Sequence, residues 1–279
     1  MLKRIITSII SICILLPILF FSDTVVLPTA VAIMTIIALF EMYRCLGQEK
    51  NLYLSIPAYL FAIISPFALR FLNEGGIYAV IAFASGTAYL IYLFFVSVIL
   101  KGRIKFAKIA EIFTVSVYIL AAFNSIIYIR DIENSGKFLY ILIFIGAWIT
   151  DIFAYFTGML LGKHKLIPEV SPKKTVEGSI GGVVFCALSF VAYGYIVKHF
   201  FNTELNVLFL AVSAIIVSVI SQMGDLIMSL IKREYGIKDY GKLFPGHGGV
   251  LDRFDSILAV SVAFAIICVF AKMMNLTLL

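Results

Sequence analysis

The sequence predicts an all-α, polytopic integral membrane protein of about nine transmembrane helices, with its N-terminus cytoplasmic and its C-terminus outside. Three observations carry this. Of 279 residues, 62% are hydrophobic and only 14% charged, whereas a soluble domain is about a quarter charged. The mean hydropathy is +1.07. The apolar residues come in long blocks divided by short charged loops, as in helices that satisfy their own backbone inside lipid.

The blocks lie at 5–21, 25–40, 52–72, 76–100, 107–129, 138–161, 179–201, 205–231 and 256–278. About 20 apolar residues are needed to cross a bilayer, and the last seven blocks qualify. The first two are short and suit either two crossings or a hairpin that enters and leaves on one side. Both readings leave the later orientations unchanged. Lys3 and Arg4 before Ile5–Phe21 also fit the start of a signal peptide, but no cleavage site of small residues follows, so a retained helix is expected. Nothing of linker length separates the blocks. One structural unit is therefore expected, with scaffold helices over 1–130 and helices bearing polar residues and long loops over 131–279.

Charge sets the orientation. Of the 22 lysines and arginines, 17 fall at the N-terminus and in the loops around 41–51, 101–106, 162–178 and 232–255; the other side holds 5, Arg70, Arg130, Lys137, Lys198 and Lys272. Positive charge marks the cytoplasmic side. The two longest loops, 162–178 and 232–255, are then both cytoplasmic. Four cysteines, Cys13, Cys45, Cys186 and Cys268, lie far apart without a Cys-x-x-Cys pair. They suggest neither zinc nor a disulfide framework and read as small packing residues.

Two apolar blocks carry polar stripes. Trp148, Asp151, Tyr155, Gly158 and Gly162 follow steps of 3 and 4 and share one helix face. Ala154, Gly158 and Gly162 form a small-residue series that admits a close neighbouring helix. Ser218, Gln222, Asp225, Ser229 and Lys232 make a second stripe running to the cytoplasmic end. A carboxylate inside a membrane helix points to function by default, although Asp151 alone would equally suit helix pairing. Five polar groups in line suggest a wet groove or a metal site.

The loops extend this chemistry. In GKHKLIPEVSPKKTVEG, residues 162–178, Ser171-Pro172 is expected to start a helix, followed at once by Lys173 and Lys174. Free backbone amides and two ammonium groups suit a phosphate. Gly178, Gly181 and Gly182 allow close approach of a ligand or a helix. The second loop, KREYGIKDYGKLFPGHGGVLDRFD, mixes Lys232, Arg233, Lys238, Lys242 and Arg253 with Glu234, Asp239, Asp252 and Asp255. A loop that only orients the chain needs no carboxylates. Asp252 and Asp255 share a face if helical, and oxygen-only ligands favour Mg²⁺ over zinc. Pro245-Gly246-His247-Gly248-Gly249 is not a Walker loop, but a tight turn there would present backbone amides to an anion. No Ser–His–Asp arrangement is evident.

Residues 229–255, SLIKREYGIKDYGKLFPGHGGVLDRFD, resemble the signature of the phosphatidate cytidylyltransferases, or CDP-diacylglycerol synthases. Ser229, Lys232, Arg233, Lys238, Asp239, Gly241, Pro245, His247, Gly248, Gly249, Asp252, Arg253 and Asp255 fill its places. Trp148-x-x-Asp151 with Ala154-Tyr155, and Ser171-Pro172-Lys173-Lys174-Thr175 with Glu177-Gly178, resemble the same family. The likeness covers the C-terminal half; the first 130 residues are only generically similar. It implies that CTP and phosphatidic acid give CDP-diacylglycerol and pyrophosphate at the cytoplasmic face of the cell membrane. It also implies Mg²⁺ dependence, a monovalent cation such as K⁺ assisting, and a homodimer; nucleic acid is not an expected partner.

On that reading Asp225, Lys232, Arg233, Asp252, Arg253 and Asp255 are catalytic. Asp225, Asp252 and Asp255 hold the metal, with Asp151 supporting it. Ser171, Lys173, Lys174, Lys238, His247, Gly248 and Gly249 hold the substrate phosphates. A carrier of anionic solutes would also explain intramembrane aspartates and lysines, though not a glycine, proline and carboxylate cluster in a long loop. Another nucleotide-dependent lipid transferase is the remaining alternative; the Asp-Gly-x-x-Ala-Arg motif of the CDP-alcohol phosphotransferases is absent.

Overall fold

The computed structural model describes residues 13–72, 76–246 and 248–279. Residues 13–20 are helical. The helices that follow are α1 (Val26–Cys45), α2 (Leu52–Phe71), α3 (Ile77–Ile99), α4 (Phe106–Arg130), α5 (Gly136–Leu161), α6 (Val176–Phe201), α7 (Val207–Glu234) and α8 (Leu251–Met273). Among the described residues these eight are long and apolar enough to cross a membrane. The second apolar block, short when ended at residue 40, becomes a 20-residue helix because it continues through Glu41 and Arg44. Most of the first block lies outside the described residues.

The helices are apolar on their outer faces as well as inside. In α3 only 11% of the apolar window is buried, and Phe83 and Val98 are 80% and 75% exposed. Such faces need an apolar solvent, and the chain is a multi-pass membrane protein.

The chain forms two compact units: Met1–Tyr128 with Ile237–Arg253, and Ile129–Gly236 with Phe254–Leu279. In the first, α2 packs on α1 and on α3. Its core includes Leu39, Met42, Tyr43, Leu54, Leu93 and Phe123. Buried hydroxyls there are paired: Tyr43 bonds Ser116 at 2.7 Å, and Tyr89 donates to the Leu54 carbonyl at 2.9 Å, as buried polar groups require. The loop 237–253 joins this unit.

In the second unit α5, α6 and α7 pack on one another. Phe190, Leu210, Val217, Leu258 and Phe264 are fully buried. Cys186 is also fully buried and Cys268 nearly so, as packing residues. The glycines of α6 face a helix. A Cβ on Gly178 would lie 2.6 Å from the Ala154 carbonyl and 3.1 Å from Gly158 Cα, and one on Gly182 would lie 2.9 Å from the Thr150 carbonyl. The small-residue series in α5 therefore meets its complement in α6.

Ser171-Pro172 does not start a helix. Residues Lys165–Ile167 (β1) and Ser171–Thr175 (β2) form a two-stranded antiparallel hairpin, with Lys165 opposite Thr175 and Ile167 opposite Ser171. The residue before a proline is pushed toward extended backbone, and proline is tolerated in an edge strand. The helix begins instead at Val176. Thr175 is its N-cap and accepts from Gly178 N at 3.1 Å.

Candidate functional site

Within the second unit a cavity of about 280 Å³ opens between α5, α6, α7 and the hairpin. Its walls include Asp151, Tyr155, Lys173, Lys174, Gln222 and Asp225. The stripe on α5 supplies Asp151, Tyr155 and Gly158; Trp148 packs instead on Phe144, and Gly162 makes room for Thr175.

The α7 stripe divides along its length. Ser218 is fully buried and accepts from Thr150 at 2.8 Å, and Gln222 Nε2 donates to the Ser179 carbonyl at 3.3 Å. These two tie α7 to α5 and α6, the packing role open to any polar residue in a membrane helix. Asp225, one step further, pairs with Lys174 Nζ at 2.5 Å and accepts from Ser229 at 3.4 Å. Lys174 also reaches the Gln222 carbonyl at 3.5 Å. The hairpin thus delivers Lys174 to α7, while Lys173, its neighbour in an extended strand, is exposed. Successive strand residues point to opposite faces, yet both line the cavity.

Asp225 is also in electrostatic reach of Asp151 and Asp255. Asp151 accepts from Ser256 Oγ at 3.2 Å, and Asp255 accepts from Ser256 N at 2.9 Å while interacting with Lys232. A Cβ on Gly224 would sit 2.5 Å from the Ala259 side chain and 3.1 Å from the Asp255 carbonyl, so the glycine lets α8 come close beside Asp225. Asp151 and Asp225 interact with Lys174, and Asp255 with Lys232. Among the described residues no three His, Cys, Asp or Glu side chains are gathered as a complete metal cage. Mg²⁺ needs none: it keeps several waters and takes one or two carboxylates plus substrate phosphates. The oxygen-only donors present fit it.

In the first unit the signature loop is organised around two carboxylates. Gly248 takes a φ of +88°, and Phe244 N donates to the Gly248 carbonyl at 2.8 Å, closing a tight turn. The amides of this loop do face an anion, and the anions are side chains of the chain itself. Asp252 Oδ2 accepts from Tyr240 N at 2.8 Å, Gly241 N at 3.3 Å and Gly249 N at 2.9 Å. Glu41 accepts from Val250 N at 3.1 Å and Leu251 N at 2.9 Å. Arg44 donates to the Tyr240 carbonyl. Side chains at 241 or 249 would run into the Glu41 carboxylate, and one at 248 would meet Asp252. The glycines leave the space those carboxylates fill.

Asp252 and Arg253 open α8, three and two residues before Asp255. Lys238, Arg233 and Arg253 are exposed; Lys232 and Ser171 are half-buried. His247 lies outside the described residues. Sequence reasoning missed Glu41 and Arg44, because ending the apolar block at residue 40 leaves both in a loop. Their signal was an acid and a base three residues apart at the end of an apolar run.

Residues 2–271 match the model of a family described as the Cytidylyltransferase family. A phosphatidate cytidylyltransferase of Staphylococcus haemolyticus (strain JCSC1435) is 34% identical over 257 residues, which is 92% of this chain and 95% of that protein. Proteins of the same name from Staphylococcus epidermidis (strain ATCC 12228 / FDA PCI 1200) and Staphylococcus aureus (strain COL) are 32% and 33% identical with the same coverage.

Proposed function

The chain belongs to the cytidylyltransferase family and is a nucleotidyltransferase, and we propose that it joins CTP and phosphatidic acid into CDP-diacylglycerol with release of pyrophosphate. The observation that carries the residue assignment is the Lys174–Asp225 pair in a cavity also walled by Lys173 and Asp151. Two lysines beside carboxylates of membrane-spanning helices support a site that receives a polyphosphate and a lipid headgroup.

A phosphate oxygen of phosphatidic acid attacks the α-phosphorus of CTP in line. The new O–P bond forms as the bond to the β-phosphate oxygen breaks, and pyrophosphate leaves with the electron pair. The lipid phosphate is the nucleophile, so no covalent enzyme intermediate is required. Two anions repel as they approach. Lys173, Lys174, Lys232, Arg233 and Arg253 offset that repulsion and stabilise charge on the transferring group. Ser171, Lys238, His247 and Gly248 are proposed to add phosphate contacts, while the Gly249 amide, expected to do the same, is taken by Asp252.

Mg²⁺ when bound would neutralise phosphate charge and orient the leaving group. Asp225, Asp255 and Asp252 are the candidate ligands, one or two of which would hold it together with substrate phosphates, with Asp151 in support and K⁺ assisting. We place the site at the cytoplasmic face of the cell membrane, since CTP is cytoplasmic and both loops are rich in the lysine and arginine expected of cytoplasmic loops. The family resemblance further supports a homodimer.

Purified full-length protein with labelled CTP, phosphatidic acid and Mg²⁺ should yield a labelled lipid and pyrophosphate in equal amounts. Solute uptake into vesicles without lipid labelling would support the carrier instead.

A further inference from the structure

The start of α8 has an unmet need. The first amides of a helix have no intrahelical acceptor, and a side chain at the N-cap normally supplies one. Here the candidates are Gly249 and Val250, and neither side chain can accept a hydrogen bond. Asp252 reaches back to Gly249 N, the reciprocal half of a capping box. The other half comes from a residue more than two hundred positions away. Glu41 Oε1 and Oε2 take Val250 N and Leu251 N. Only 3% exposed, Glu41 lies in electrostatic reach of Asp252 and Arg44. Arg44, one turn along α1, holds the Tyr240 carbonyl at the loop's other end.

We propose that Glu41 is a positioning residue for nucleotidyl transfer: it caps α8 from α1 and sets the register in which the signature loop presents Asp252 and Arg253. The proposal rests on the transferase reading above. Two features make Glu41 more than a packing group. Both of its carboxylate oxygens are used, each on a different amide, so it fixes orientation as well as distance. The space at residues 241 and 249 is shaped to it, since any Cβ there would overlap it. Arg44 offsets the repulsion between the two carboxylates and allows both to serve one turn.

The test compares the full chain in detergent with Glu41→Gln and Glu41→Ala. Gln keeps the size and one acceptor, but its NH₂ cannot accept from an amide. For Glu41→Gln the expected result is kcat lower by about tenfold to a hundredfold, the scale of a small misplacement of reacting groups. KM for CTP and phosphatidic acid should stay within about threefold, and Glu41→Ala should lie lower still if it folds. Hydrogen exchange at the amides of residues 249–251 should quicken in Glu41→Gln while the core of α1 stays protected. A purely structural glutamate would lower the yield of folded protein and leave kcat per folded molecule unchanged. Unchanged kcat, or unchanged exchange at 249–251, overturns the proposal. If the wild-type chain makes no CDP-diacylglycerol, the transferase reading fails on its own; unchanged exchange would overturn the cap separately, and quickened exchange would leave Glu41 a cap with no role in transfer, which also overturns the proposal.

Discussion

Asp225 is the one carboxylate of α7 before its terminal Glu234, and its ion pair with Lys174 joins a membrane helix to a loop strand. Each partner is about a quarter exposed, so solvent weakens the pair, and its loss should cost no more than about 1 kcal/mol of stability. Its loss from catalysis should be far larger. Asp225→Asn and Lys174→Met are each expected to lower turnover by about a hundredfold to a thousandfold, with melting temperatures near wild type. Wild-type rates in either would remove that residue from the site. Asp252→Asn should abolish turnover while the protein still folds, because the asparagine oxygen can still accept loop amides; near-normal turnover would take Asp252 out of the metal set.

Helix packing is where the glycines matter. Gly178→Ala drives a methyl group against the Ala154 carbonyl and Gly158, and overpacking of this kind costs about 1–3 kcal/mol. Gly86 is the internal control. It sits in α3 with nothing within 4 Å of an added Cβ, and alanine there should be neutral or stabilising by up to about 1 kcal/mol. Thermal unfolding in detergent separates the two; equal melting shifts would refute the close approach of α5 and α6. The hairpin is the element that the sequence signals misplaced. Ser-Pro followed by lysines fits a helix start as well as an extended edge, and pairing with Lys165–Ile167 across the turn decides for the strand.

For the molecule as a whole, orientation and metal dependence are the open consequences. A cysteine in place of Lys165 should resist a membrane-impermeant maleimide in intact cells and react after permeabilisation, whereas one in place of Asn134 should react in both. The reverse pattern would invert the positive-inside assignment. Chelation should abolish turnover, and Mg²⁺ should restore it; full activity in chelator would remove the metal from the mechanism.

The membrane class, the spans from residue 52 onward and the family were legible because they depend on local quantities: hydropathy summed along the chain, charge counted by loop, and a signature contiguous over 27 residues. The stripe residues Asp151 and Asp225 were legible for the same reason, since helical spacing alone puts polar groups in line. What depended on the fold was which partner each polar group met. Ser218 and Gln222 read the same as Asp225 along α7, yet two bind neighbouring helices and one meets a lysine. Glu41 and the signature loop are far apart in sequence, and a hydrogen bond needs about 3 Å in space. No spacing rule reaches across that separation; only the packed backbone brings the acid to the amides that lack a cap.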